Sequence, residues 1–362
     1  MRVSESLLRH RSVRESILYK RMPREGVRCI LCERRCELRP GQAGHCATRV
    51  NLDGKLYTMV YGDVSALESR PIEIKPFFHY WPGSTAATFS TWSCNLNCVW
   101  CQNHHLSKSR PNPSKARFMD ADEIVDFATD SGDEGICVSF QEPTLMTDFA
   151  VEVFRLASPR GLYCCYVSNG YMTLEALRLL RDSGLTGLKI DVKGDAETYK
   201  RYCGGVDAEK IWRNTRVAKS MGIHVEIVNL VVTGVNDDEG CIREVIDRHL
   251  RELGPESPLH FTRYFPAYRF HNPPTRMSTL ESAYEMAKKT GVLYPYLGNV
   301  RGHAYENTYC PGCGRLLIKR HGYDVIRYDV TEAKRCPKCG FDVPIQGHYV
   351  KKRSGRRMSW GI

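Results

Sequence analysis

The stretch AATFSTWSCNLNCVWCQN (86–103) decides the fold. Its first six residues read as a strand, and the chain then runs straight into Cys94-x3-Cys98-x2-Cys101. Three thiolates on one short loop suit a [4Fe–4S] cube with one iron left open to a non-protein ligand, because such clusters otherwise take four cysteines. A zinc site that borrows its fourth ligand from His104 or His105 is the competing reading of the same spacing.

Downstream the same unit recurs. Short apolar runs read as strands at GICVSFQE (135–142), LYCCYVSN (162–169), TGLKIDVK (186–193), VEIVNLVV (225–232) and LHFTRYF (259–265). Helical periodicity separates and follows them at 120–132, 144–157, 173–184, 207–222, 238–253 and 279–291. An Asp or Thr begins each helical stretch, as an N-cap should. Alternating strands and helices predict a parallel sheet. Six βα repeats fall short of the eight of a complete barrel. The expected fold is therefore α/β, an open partial (βα)6 TIM-type barrel with its active site at the C-terminal ends of the strands. The cysteine loop, after strand one, lies at that end.

Outside the repeats, residues 1–27 read as a basic helical lead-in, 55–64 as a strand, 68–84 as an irregular connector rich in Pro and aromatics, and 292–300 as a last apolar segment. The expected division is 1–84 for the lead-in, a four-cysteine metal module and the connector, 85–300 for the barrel, and 301–362 for a zinc ribbon and basic tail. Within the connector, Glu73, Lys75 and His79 read as parts of a packed plug at one end of the barrel.

The chain has 362 residues, 42% of them hydrophobic and 26% charged, which favours a packed core over disorder. No run approaches the roughly 20 apolar residues of a membrane span, and the N-terminus does not read as a secretory signal. A cytoplasmic protein with no membrane partner is expected. The net charge is +11, and the tail after Gly347 carries two basic clusters. These either solubilise the chain or contact an acidic partner, nucleic acid included.

Sixteen cysteines are many where disulfides rarely persist, and eleven of them fall in three clumps. Clumping at short spacing argues for metal. CPGCG (310–314) and CPKCG (336–340) present Cys310, Cys313, Cys336 and Cys339 in the spacing of a structural zinc ribbon, which could also serve nucleic-acid recognition. Cys29-x2-Cys32-x3-Cys36-x9-Cys46 is a second four-thiolate set. Zn2+ and an auxiliary [4Fe–4S] cluster both fit that count, zinc being the first choice, with Arg34 and Arg35 placed to offset thiolate charge. The other five, Cys137, Cys164, Cys165, Cys203 and Cys241, read as small buried hydrophobes.

The central motif, with aromatic Trp100 before its last cysteine, resembles the radical S-adenosylmethionine (SAM) superfamily. CQN (101–103) resembles the CHN of pyruvate formate-lyase-activating enzymes. The similarity is closer to their relatives called AmmeMemoRadiSam radical SAM enzymes. It rests on the N-terminal cysteine clump, PIEIKPFFHYWPGS (71–84), SFQEPT (139–144), SNGY (168–171), KIDVKG (189–194), VVTGVND (231–237), FTRYFPAY (261–268) and the C-terminal cysteine pairs, over roughly residues 27–345. The resemblance implies SAM as cofactor, bound at the open iron. It also implies hydrogen-atom abstraction by a 5′-deoxyadenosyl radical, and an electron donor such as ferredoxin or flavodoxin. It places Trp100, Asn103, Glu142, Asn169, Asp191 and Lys193 around the cofactor. Glu142 stands where the family's GGEP motif has its amine-binding glutamate, but here the motif is FQEP, and the missing glycines put the close backbone approach in doubt. Asn169 is also a plain Asn-Gly turn residue, and Asp191 with Lys193 also reads as a charge pair that fills the barrel. Asn229 and Arg263 are weaker candidates on the substrate side.

The leading reading is a radical SAM enzyme acting on a partner protein, an RNA or a small molecule; a glycyl-radical activase is one version of it. The competing class is a zinc protein that binds nucleic acid through its ribbon and tail.

Overall fold

The computed structural model describes residues 6–351, so the basic clusters of the tail, Lys351 apart, lie outside the described residues. All six predicted strands form, and two more join them in one sheet. In chain order they are β1 (Ala66–Pro71), β2 (Thr85–Ser90), β3 (Gly135–Val138), β4 (Tyr163–Ser168), β5 (Leu185–Val192), β6 (His224–Val231), β7 (Leu259–Arg263) and β8 (Pro295–Gly298). Chain order is also spatial order, so β1 and β8 are the two edges. β1 pairs antiparallel with β2, and every other pair is parallel. The inner strands are buried almost residue for residue, as in GICV of β3. A parallel sheet covered on both faces requires such runs.

The intervening helices are α1 (Ala121–Ser131), α2 (Thr147–Ala157), α3 (Leu174–Asp182), α4 (Ala196–Tyr202), α5 (Ala208–Ser220), α6 (Glu239–Leu253) and α7 (Met277–Thr290). Local chemistry sets several starts. Asp120 and Glu123 form a capping box on α1, and Thr173, Asp207 and Asp238 accept from backbone N–H groups at the starts of α3, α5 and α6. The expected Thr caps of the second and last helices do not form, because α2 continues from a 3-10 turn at Pro143–Met146 and α7 starts earlier, after Arg276. No helix among the described residues is long and apolar enough to cross a membrane.

The N-terminal lead-in corrects the helical expectation. Tyr19–Met22, Gly26–Cys29 and Glu37–Leu38 form one antiparallel sheet, and Arg14–Glu15, Lys55–Thr58 and Arg49–Leu52 form another. Arg14–Glu15, Tyr19–Met22 and Gly26–Cys29 thus find their backbone partners across strands, such as Tyr19 opposite Cys29. Arg49, 1% exposed, locks this module to the large sheet. It forms an ion pair with Asp148 of α2 and donates to the Leu145 carbonyl at 3.1 Å. Asp148 also accepts from Ser16 Oγ at 3.0 Å and the Ile17 N–H at 2.8 Å.

The connector is not irregular throughout, since its start is the edge strand β1. Its remainder is the expected plug. His79 is fully buried and hydrogen-bonds Tyr296 of β8 at 2.7 Å, while Glu73 accepts from the Gly83 N–H at 2.7 Å. Glu226 of β6 accepts from the N–H groups of Phe78 and His79 and from the rings of His224 and His260. The C-terminal residues add a three-stranded antiparallel sheet of Thr308–Tyr309, Leu316–His321 and Asp324–Tyr328. Arg320 ties it to the connector, donating to the Phe78 carbonyl at 2.8 Å. Phe78, Tyr294, Tyr296, Leu317, Ile318 and Ile345 pack together around that bond.

Candidate functional site

A cavity of about 500 Å³ opens at the C-terminal ends of the parallel strands. Each of β2 and β4 to β7 sends at least one side chain into it: Thr88, Val167, Lys189 and Asp191, Val228 and Leu230, and Thr262. Cys94, Cys98 and Cys101 line the same cavity, as do Trp100, Asn103, Glu142, Asn169, Asp191 and Lys193. The structure therefore brings together every residue that the resemblance placed beside a cofactor.

The cysteine loop is held from several sides. Ser93 Oγ donates to the Cys46 carbonyl at 2.6 Å, and the Asn97 and Val99 N–H groups donate to the carbonyls of Cys203 and Tyr202. Trp100 is 2% exposed and meets Phe270 edge-on. Burial, and next the carboxylate of Glu142, push the Cys94 thiol well up. Cys98 behaves oppositely. A hydrogen bond from the Cys203 thiol, outweighing burial, brings it down to about 7. Cys203 is buried as expected, but it touches the motif and is more than a space-filling hydrophobe. The Cys101 sulfur lies 3.1 Å from Ser107 Oγ.

The turn after β3 resolves the FQEP question. Strand β3 ends at Val138, and Phe140 adopts φ 72°, the left-handed region that favours glycine. The turn is thus kept at the cost of strain on a bulky residue. It carries Glu142 inward to 2% exposure, which excludes a surface carboxylate. Glu142 Oε1 accepts from Ser168 Oγ at 2.7 Å and from the Thr144 N–H and hydroxyl, and Oε2 accepts from the Asn169 N–H at 2.8 Å. All four donors are neutral. Burial raises its pKa against these bonds. A desolvated carboxylate without a cation suits an ammonium group arriving from the cavity.

Asn169 fills its expected turn role and also reaches the cysteine loop. Its Oδ1 accepts from the Tyr171 N–H at 2.9 Å, closing the Asn-Gly turn, while its Nδ2 reaches the Cys94 sulfur at 3.7 Å. Asp191 pairs with Lys189 at 2.7 Å and Lys193 at 3.8 Å. Burial opposes ionisation there, yet the two ammonium groups hold Asp191 below the usual carboxylate range. Lys75 of the connector also borders the cavity, as do Asn299 and Tyr323 from beyond β7.

Two candidates fall away. Asn229 faces the Val192 carbonyl and Arg263 the Thr275 carbonyl, and neither lines the cavity. His104 and His105 do not line it either, so the zinc reading of the central loop loses its fourth ligand; His104 stacks on Tyr268 instead. Arg35 turns to Glu33 and Glu175, away from the thiolates it was expected to offset.

The other two cysteine sets are also gathered. Cys310, Cys313, Cys336 and Cys339 bring their sulfurs within 4.8 Å of one another, with 3.5 Å between Cys310 and Cys339 and 3.7 Å between Cys313 and Cys336. Cys29, Cys32, Cys36 and Cys46 surround a small cavity shared with Arg34, Arg49 and Asn95. His45 borders it from the exposed side. Asn95 was missed by sequence reasoning because it is one of the three spacer residues between Cys94 and Cys98, and the spacing argument uses only the cysteines.

A family model described as the radical SAM superfamily matches residues 90–247. An uncharacterized protein of Methanocaldococcus jannaschii is 38% identical over 336 residues, covering 92% of this chain and 99% of that protein. A GTP 3′,8-cyclase of Desulforamulus reducens is 23% identical over 63% of this chain and 76% of its own length. Among solved structures, a domain of a pyruvate-formate lyase-activating enzyme from Bacteroides vulgatus aligns with TM-score 0.39 and 18% identity, over 46% of this chain and 99% of that one. SuiB of Streptococcus suis bound to SAM aligns with TM-score 0.47 and 13% identity, over 58% of this chain and 50% of that one.

Proposed function

Because this chain belongs to the radical SAM superfamily, we propose that Cys94, Cys98 and Cys101 hold a [4Fe–4S] cluster at which SAM is reductively cleaved. The observation that carries the assignment is the meeting, in one cavity, of three cysteines with a buried carboxylate, Glu142, that has only neutral partners. The cluster with SAM bound would supply a 5′-deoxyadenosyl radical, which abstracts a hydrogen atom from the substrate.

The chain's own residues have separable tasks. Glu142 receives the methionyl ammonium through Oε2, the oxygen with a single bond. Asn169 and Asn103 position the loop, through the Cys94 sulfur and the Phe140 carbonyl. Asp191 with Lys193 borders the cofactor, and Trp100 shields the cluster from water. A low-potential carrier such as ferredoxin or flavodoxin supplies the electron. The same abstraction directed at a glycine of a partner protein would make the chain an activase.

We read the sheet as the partial (βα)6 barrel of this chemistry, extended by β1 and β8. The division at 1–84, 85–300 and 301–362 then separates the metal module, the catalytic sheet and a zinc ribbon. The ribbon reading is supported by sulfur spacing. Tetrahedral zinc with Zn–S near 2.3 Å needs sulfurs about 3.8 Å apart, close to the 3.5 and 3.7 Å found.

The test is anaerobic reduction of the reconstituted protein with SAM. Release of 5′-deoxyadenosine and methionine is expected from the wild type and not from Cys94→Ala, Cys98→Ala, Cys101→Ala. Equal release from both would overturn the reading.

A further inference from the structure

Sulfur spacing separates the three cysteine sets into two kinds. Among the described residues, only the Cys310, Cys313, Cys336 and Cys339 set brings three or more ligand atoms within 4.8 Å of one another. Cys29, Cys32, Cys36 and Cys46 surround one cavity yet stand wider than a single ion can bridge. The central triad shares that wide spacing. A four-iron cluster binds each thiolate to a different iron, and so holds its sulfurs farther apart than one ion does. The N-terminal set has the full four cysteines of such a cluster, three of them buried, in a pocket walled by Leu31 and Leu145.

A second observation points the same way. Asn95 is fully buried and borders this pocket, and its Nδ2 donor finds no hydrogen-bond partner in the chain. Buried donors left unpaired are rare and costly. A sulfur carrying cluster charge is the acceptor this donor lacks. The other end of the same side chain faces the central loop. Its Oδ1 accepts from Asn169 Nδ2 at 2.8 Å and lies 3.8 Å from the Cys94 sulfur.

We infer that Cys29, Cys32, Cys36 and Cys46 hold a second [4Fe–4S] cluster, and that Asn95 joins it to the central one as the electron path into the active site. The relay rests on the central cluster proposed above. One electron leaves the reduced auxiliary cluster, which returns to its oxidised state, and enters the central cluster; no bond or proton changes hands. A low-potential one-electron carrier protein reloads the auxiliary cluster. Cys36, the partly exposed member, marks the side it approaches from.

The experiment compares anaerobically purified wild type with the Cys94→Ala, Cys98→Ala, Cys101→Ala variant by iron, sulfide and zinc content and by electron paramagnetic resonance after reduction. About eight irons are expected in the wild type and about four in the variant, each with one zinc. The variant should give a simple cluster signal that spin–spin interaction broadens in the wild type. An iron-free variant with an additional zinc, or with no metal at the N-terminal set, overturns the second cluster. An unbroadened wild-type signal from two reduced clusters overturns the relay. Iron lost between wild type and variant reports on the central cluster alone, so the two assignments fail separately. Asn95→Leu supplies an independent readout. Removing the donor should lower the midpoint potential of the auxiliary cluster, and an unchanged potential overturns the role of Asn95.

Discussion

The side-chain amide of Asn103 donates to the carbonyl of Phe140 at 2.5 Å, tying the residue just past the cysteine loop to the turn that follows β3. The bond fixes a backbone that has every reason to relax, since Phe140 holds φ 72°. Glycine tolerates that region, and alanine keeps its strain. Phe140→Gly is therefore expected to be more stable than Phe140→Ala, by about 1 kcal/mol. Paired denaturant titrations check the order. If the alanine variant is the more stable, strain at this position is absent.

Asp148 is the sole carboxylate partner of buried Arg49 among the described residues. Asp148→Ala strands that guanidinium between two structural modules, and a loss of about 3–5 kcal/mol is expected. The double variant Arg49→Met, Asp148→Leu should recover much of it, because no charge is left unpaired. Urea midpoints of the two variants decide, and equal losses would contradict the argument.

Acid should destabilise the fold through its buried imidazoles, His79 of the connector plug, His249 of α6 and His260 of β7. Burial pushes His79 down to about 3 and His249 to about 4, and it also lowers His260. The unfolded chain takes these protons near pH 6.5 and the folded chain does not, so their contribution is complete above about pH 6.5 and is lost as pH falls toward about 4. His79 and His249 each contribute a slope of about 1.4 kcal/mol per pH unit in that window. His79→Gln should lower the slope by one proton. An identical pH dependence in wild type and variant would show that His79 is protonated in place.

Cys203 offers a test on the cluster itself. It sits beside Cys98, and a thiol hydrogen bond to that sulfur would favour the reduced, more negative cluster. Cys203→Ala should lower the midpoint potential of the central cluster by about 40 mV, taking ~1 kcal/mol for the bond. Cys241→Ala, buried away from the motif, is the control. Equal potentials in all three proteins would remove the bond from the account.

For the C-terminal set, Cys339→Ser should lose one equivalent of zinc and leave iron unchanged. Metal analysis of the purified variant checks this, and a loss of iron would reassign the site.

The inner sheet was legible because buried parallel strands leave continuous apolar runs in the sequence, as in Gly135–Val138. The edges were not. β1 spans ALESRP, where polar residues and a proline show no alternation, and it becomes a strand only by pairing Leu67 with Phe89 and Ser69 with Ala87. β8 begins with proline and ends with glycine, which hides four extended residues. In the lead-in, residues 1–27 read as a basic helix, and from Arg14 onward cross-strand partners overrode it.

The site divides in the same way. Cys94, Cys98 and Cys101 announce themselves by spacing, since one loop supplies all three. Asn95 and Cys203 carry no such mark. Their significance lies in the N-terminal cysteine pocket that Asn95 borders and in Cys98 beside Cys203, neighbours that only the folded chain brings near. Glu142 was placed by resemblance, but its neutral hydrogen-bonding shell draws on Ser168 and Asn169 of a neighbouring strand end.

The bond from Arg320 to the Phe78 carbonyl spans 242 positions, and the one from His79 to Tyr296 spans 217. Contacts so distant in sequence are slow to form. During synthesis at roughly 5–20 residues per second, Phe78 waits on the order of ten seconds or more for Arg320 to be made. Over that interval the floor beneath the cavity stands open, with polar groups meant for burial still facing water. The nascent chain is then exposed to aggregation, and chaperone dependence should concentrate in the time between completion of β7 and emergence of the last hairpin.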